Sequence, residues 1–152
     1  TTLFRSPYLS WDWRAHKLPA GGNERIDSRN DSAAGIYVLF RRANIPFVGW
    51  QNQPANWIKY VWSSTLPVGT VVSKSRKSMG VTLYEGRYVV VASGPAELKK
   101  WITFKKNILQ DYRKYFGENP KYSPSMIGIL TDANDTGSNA SADYDRITAS
   151  RN

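Results

Sequence analysis

Hydrophobic and polar positions alternate over Pro7–Ala15. Leu9, Trp11 and Trp13 share one face, and Ser10, Asp12 and Arg14 share the other. That period of two predicts a half-buried strand. Lys17–Ser32 holds Pro19, Gly21, Gly22, Asn23, Asn30 and Asp31 and reads as a polar loop. Ser32–Arg42 reads as a buried strand, with Ala33, Ala34 and Gly35 leaving room for a close neighbour. Ala43–Asn56 is a loop whose Phe47, Val48 and Trp50 must pack somewhere. Trp57–Ser63 is a third strand with Ile58, Tyr60 and Trp62 on one face. Pro67-Val68-Gly69 turns into a short strand, Thr70–Val72, and Ser73–Gly80 reads as basic and flexible. Arg87–Ser93 is a strand, and Leu98–Ile102 is its expected partner across Gly94-Pro95.

One segment switches to helical spacing. Phe104, Ile108, Leu109, Tyr112, Tyr115 and Phe116 form an apolar stripe, with Thr103 as the expected N-cap and Gly117 closing the helix. Met126–Thr131 and Ala142–Ala149 are the last strands, flanking the turn-rich Asp132–Asn139. About seven short strands and one helix predict a mainly β fold, an antiparallel β-sandwich with one α-helix.

The chain has 152 residues, the size of one domain at about 100–200 residues each. It has no Cys and a single His, His16. This excludes disulfides, thiolate zinc sites and Cys nucleophiles, and leaves no paired-His metal site or ordinary His relay. The net charge of +9 is uneven. Residues 57–121 hold 12 basic and four acidic residues, whereas 122–152 hold two and four. No apolar run has the length of a membrane span. Residues 1–6, Thr1–Ser6, read like the translation of the end of a common sequencing adapter. The expectation is therefore that 7–152 is the native domain and that an upstream segment is missing.

Several segments resemble the bacterial DUF3047 family. They are Tyr8-Leu-Ser-Trp-Asp-Trp-Arg14, Asn30-Asp-Ser-Ala-Ala-Gly-Ile-Tyr37 and Lys59-Tyr-Val-Trp-Ser-Ser-Thr-Leu-Pro-Val-Gly69. Further along come Trp101, Asn107, Asp111-Tyr112-Arg113, Phe116-Gly117 and Thr131-Asp-Ala-Asn-Asp-Thr-Gly137. The resemblance implies further strands before the Trp-x-Trp strand, in line with the truncation expectation. Arg146 stands where that family's closing strand carries Asp. The pattern is also similar to the jelly-roll sandwiches of carbohydrate-binding modules, an analogy of fold alone.

Sugars present flat C–H faces that stack on aromatic rings, and the chain has six Trp and nine Tyr. The expected ligand-binding set is Trp13, Trp57, Tyr60 and Trp62, joined by Asn107, Asp111 and Arg113 from the resembling segments. Trp50 and Trp57, near loops, are the tryptophans expected at the surface. Each aromatic has a plainer reading as core, since burying one removes roughly 150–250 Å² from water. Asp132, Asn134 and Asp135 offer hard oxygens at Ca²⁺-like spacing, although the remainder of an EF-hand is missing and a polar β-turn explains the same residues. Asp12 and Asp111 are expected to pair with Arg14 and Arg113 or their neighbours, and no spacing selects a catalytic pair of carboxylates.

The leading expectation is a non-catalytic module that binds a polysaccharide or acidic glycan in the periplasm or outside the cell, with no cofactor beyond that Ca²⁺ site. The alternatives are a hydrolase or lyase using paired carboxylates, or a basic nucleic-acid or membrane-surface binder. Nucleic acid is disfavoured because no recognisable binding motif accompanies the charge.

Overall fold

The computed structural model describes residues 5–49 and 52–152. Trp50 and residues 1–4 of the adapter-like segment lie outside the described residues. The strands are β1 (Tyr8–Lys17), β2 (Ala34–Arg41), β3 (Ala55–Ser63), β4 (Val71–Ser78), β5 (Val81–Ser93), β6 (Ile102–Asn107), β7 (Pro124–Leu130) and β8 (Ser141–Ser150). One helix, α1 (Ile108–Phe116), follows β6 directly. The fold is mainly β, as the alternation predicts.

Two sheets face each other in a sandwich-like arrangement. One has three strands in the order β6-β1-β8, the other five in the order β4-β5-β3-β2-β7. Their inward rows interlock: Leu9, Trp11 and Trp13 of β1 meet Ile36, Val38 and Phe40 of β2 and Ile58, Tyr60 and Trp62 of β3. Ring centroids of Trp11 and Tyr60 lie 5.3 Å apart, and those of Trp13 and Trp62 6.3 Å. Helix α1 closes one end, where the Tyr112 hydroxyl accepts a 2.9 Å bond from Asn56 and its ring meets Phe40 at 4.7 Å.

The sandwich is not wholly antiparallel, because β3 and β5 pair in parallel. Strand β5 is apolar on both faces through Val89, Val90 and Val91 and suits a place inside the sheet. Basic β4 takes the edge beside it, so the chain passes over β5's place and returns into it. Residues 73–78, read from sequence as flexible, thereby become an edge strand by pairing with β5 from Val71↔Val89 to Ser78↔Val81.

Two further boundaries differ. The segment 95–100 is turn and bend, and the strand lies later, at Ile102–Asn107, paired with β1. The helix therefore starts at Ile108, not after Thr103. Ile102 and Phe104 turn toward the core with a period of two before the helical spacing takes over. Asn107 is the N-cap, its side chain accepting the Gln110 N–H at 3.0 Å, and Gly117 closes the helix in the left-handed conformation.

Candidate functional site

Alternation along five paired strands sends every second side chain away from the inter-sheet core. The outward rows hold Tyr37 and Leu39 on β2, Trp57 and Lys59 on β3, Tyr84 and Tyr88 on β5, and Lys74 and Arg76 on β4. This outer face of the five-stranded sheet is half covered. The loop between β1 and β2 lies over one end of it. Glu24, fully buried, accepts bonds from Ser32 (2.8 Å) and Ser63 (2.7 Å). Asn30 donates to the Tyr88 hydroxyl at 2.8 Å, and Asp27 pairs with Lys74.

Under that cover lies Lys59, only 1% exposed. Its side chain runs across Gly35, where a Cβ would sit 2.6 Å from the lysine Cε, so only glycine leaves the path open. The ammonium lies 5.1 Å from the Tyr37 ring centroid and 5.3 Å from that of Tyr88. Burial brings its pKa down from 10.5 to about 8, while Asp132, Glu24 and Asp31 pull the other way. Burial likewise raises the Tyr37 and Tyr88 phenols. Among the described residues no carboxylate comes within ion-pair distance of Lys59. The charge is held by ring faces and by the field of the three acids.

The other half of the face is open. A depression of about 350 Å³ is bordered by Leu39, Gln53, Ala55, Trp57, Arg76 and Tyr84. Trp57 lies flat on the sheet: a Cβ on Gly86 would fall 2.0 Å from its indole, so the glycine is what lets the ring down. Tyr37, Tyr84 and Tyr88 surround it at 5.6, 6.2 and 5.1 Å, with Tyr37 and Tyr88 edge-on. Gln53 spends its amide on the carbonyls of Ile45 and Val48 and the N–H of Ile45, which fixes the loop beside the depression. Arg76 is exposed and, among the described residues, its side chain forms no hydrogen bond or ion pair, leaving its guanidinium available at the rim.

Of the residues singled out from sequence, only Trp57 belongs to this face. Trp13, Tyr60 and Trp62 are fully buried between the sheets, so their rings form core and offer no surface for stacking. Asn107 caps α1. Asp111 accepts the Tyr60 hydroxyl at 2.6 Å, and Arg113 donates to Asn119 at 2.6 Å. The structure thus joins Tyr60 to Asp111 and Trp13 to Trp62 inside the core, and leaves Trp57 on the opposite face of the five-stranded sheet.

The Asp132–Asp135 segment is a turn. Asp132 accepts the Asn134 N–H, Asn134 donates to Asp135, and buried Asp31 accepts the N–H groups of Asp135 and Thr136. Among the described residues no group of three or more His, Asp or Glu is placed to hold a metal ion.

Asp12 pairs with Arg146 and accepts Thr103 at 2.6 Å, not Arg14; those bonds hold its carboxyl below the usual range. Arg146 is in the left-handed region (φ 48°) at a bulge in the β1–β8 pairing. His16 lies within β1 and bonds Asp143 at 2.8 Å beside Arg14.

Sequence reasoning missed Lys59, Gly86, Tyr84, Tyr88 and Arg76 as one face. A single signal was available: Lys59 is the one charged position in β3 and stands between the apolar pairs Trp57-Ile58 and Tyr60-Val61.

Fold and site together define a mainly β protein with an aromatic platform beside a largely apolar depression on one outer sheet face. The family model described as "Protein of unknown function (DUF3047)" matches residues 2–148, and the chain belongs to that family. No curated protein and no solved structure matches the chain. Among the described residues no helix is long and apolar enough to cross a membrane.

Proposed function

We propose that the open half of the outer face binds an acidic polysaccharide, without catalysis. The observation that carries this reading is Trp57, laid flat over Gly86 at the border of a depression whose rim carries the free Arg76. A flat indole on a sheet surface suits the C–H face of a sugar ring. A guanidinium suits the carboxylate or sulfate of that ring, since it can engage two oxygens at once. Lys77 of β4, exposed, adds positive charge along the same edge, whereas Lys74 is taken up by Asp27. A carbohydrate-binding-module type of sandwich and a periplasmic or extracellular location belong to this reading, the parallel β3–β5 pair setting it apart from a wholly antiparallel jelly roll. The two facing sheets support the architecture by analogy of fold.

Titration calorimetry against a uronic-acid polymer, a sulfated polymer, a neutral β-glucan and a single-stranded oligonucleotide tests it. The acidic polymers bind and the neutral one binds more weakly. Trp57→Ala lowers the affinity for the acidic polymers tenfold or more, about 1.4 kcal/mol, while Trp101→Ala, on an exposed tryptophan elsewhere, leaves it unchanged. Acidic-polymer affinity that survives Trp57→Ala, or binding of the oligonucleotide alone, would overturn the assignment.

A further inference from the structure

We infer that Lys74 is a second ligand-binding cation of the open face, and that Asp27 occupies it in the free protein as a stand-in for an acid group of the ligand; this rests on the acidic-polysaccharide reading above. Cross-strand register puts Lys74 beside the platform. Gly86 of β5 pairs with Trp57 of β3 on one side and with Lys74 of β4 on the other. The Trp57 indole lies over that glycine, so the ring and Lys74 are neighbours on one face of the sheet. Arg76 stands two residues further along the same row of β4, roughly 6–7 Å away at the rise of a strand. The indole is flanked on its β4 side by two cations, of which Arg76 is free and Lys74 is taken.

The ion pair is lopsided. The side chain of Lys74 is 20% exposed and that of Asp27 90%. A cation drawn that far out of water needs a counter-charge, whereas a carboxylate so exposed gives up little when it turns back to solvent. Among the described residues the Asp27 carboxylate has no other hydrogen bond or ion pair. Glu24 with Ser32 and Ser63, and Asn30 with Tyr88, anchor the loop independently, so release of Asp27 leaves the cover in place.

Binding is then an exchange of anions at one ammonium. A carboxylate or sulfate on the ligand replaces Asp27, and Lys74 keeps a counter-charge throughout. A neutral glycan has nothing to exchange, so the pair stays closed beneath it and Lys74 adds no affinity. Tethered beside its partner, Asp27 competes at a high effective concentration and lowers the affinity for acidic ligands. The Asp27–Lys74 pair thereby favours acidic over neutral chains and holds back weak acidic ones. A bond that only pinned the loop gives the opposite sign: its loss loosens the cover and weakens binding.

Titration calorimetry of the full chain against a uronic-acid polymer, on the two single variants and their combination, tests this role. Asp27→Asn binds about threefold more tightly than the wild type, the scale of an exposed ion pair. Lys74→Met binds about threefold more weakly. Asp27→Asn adds nothing in the Lys74→Met background, because the cation it frees is gone. Glu97→Gln removes an equal charge from an exposed pair with Lys100 in the 95–100 turn and leaves the affinity unchanged. Asp27→Asn at wild-type affinity or below would overturn the role of the pair while Trp57-dependent binding stands. So would a gain that persists in Lys74→Met, or an equal gain from Glu97→Gln. A wild type that binds no acidic polymer removes the reading of the face and this role with it.

Discussion

Replacing Lys59 by Met keeps the length of the side chain and removes its charge from beneath the β1–β2 loop. The buried amine has a pKa of about 8 against 10.5 when unfolded. Between those values the unfolded chain holds the proton that the folded chain has released, so stability rises with pH. Below about pH 8 both states are protonated and the cost of the buried charge is carried in full. From pH 7 to pH 9 the linkage relation gives a gain of about 1.3 kcal/mol, close to tenfold in the unfolding equilibrium. The tyrosines act in the opposite direction. Tyr37, Tyr60, Tyr88, Tyr112, Tyr115 and Tyr144 all have raised pKa values, so folding is weakened where unfolded tyrosine ionises, near pH 10. Stopping at pH 9 keeps that loss small, and it occurs in both proteins. Urea unfolding of wild type and Lys59→Met at pH 7 and pH 9 reads the difference. The wild type gains about 1.3 kcal/mol relative to the variant across the interval. Equal pH dependence in the two proteins would refute the burial argument, and so would a wild type that loses ground as pH rises.

Two further outcomes follow from the same contacts. Gly86→Val places a side chain where the Trp57 indole lies, so it lifts the ring, changes tryptophan emission and lowers acidic-polymer affinity about as much as Trp57→Ala does, as a titration of each variant checks. Asn107→Ala removes the cap of α1, costing about 1 kcal/mol in denaturant unfolding, and leaves ligand affinity unchanged because Asn107 lies outside the proposed face.

Alternation along the chain was enough to find most strands, because each has one row that is plainly apolar. It could not say what an apolar row faces. Trp13, Tyr60 and Trp62 occupy the predicted rows, yet their burial comes from a second sheet laid over them, and that depends on β1 pairing with β6 and β8. Strand β4 was legible only at its start, within Thr70–Val72, for the opposite reason: Ser73–Ser78 has no apolar row, and its extended shape is imposed by β5. The helix start slipped because Phe104 and Ile108 are four apart, a spacing compatible with one helix face or with a strand running into a helix. At the candidate site, Trp57 was legible as an aromatic near a loop. Its neighbours were not, because Tyr84, Gly86 and Tyr88 reach it through the parallel pairing of β3 with β5, which no local pattern announces.

The pairing of β1 also orders events during synthesis. Its partners β6 and β8 lie far along the chain, so Trp11 and Trp13 leave the ribosome long before the strands that flank them. The β2–β3 pair is closer in sequence and can form early, but its Tyr60 and Trp62 then wait for the same covering sheet. Closure of such distant contacts is slow relative to local ones. A half-made chain therefore displays a stripe of tryptophan and tyrosine to its surroundings, the kind of surface that holdase chaperones shield from aggregation. Refolding from denaturant is expected to be slow for a domain of this length, with yield falling as protein concentration rises.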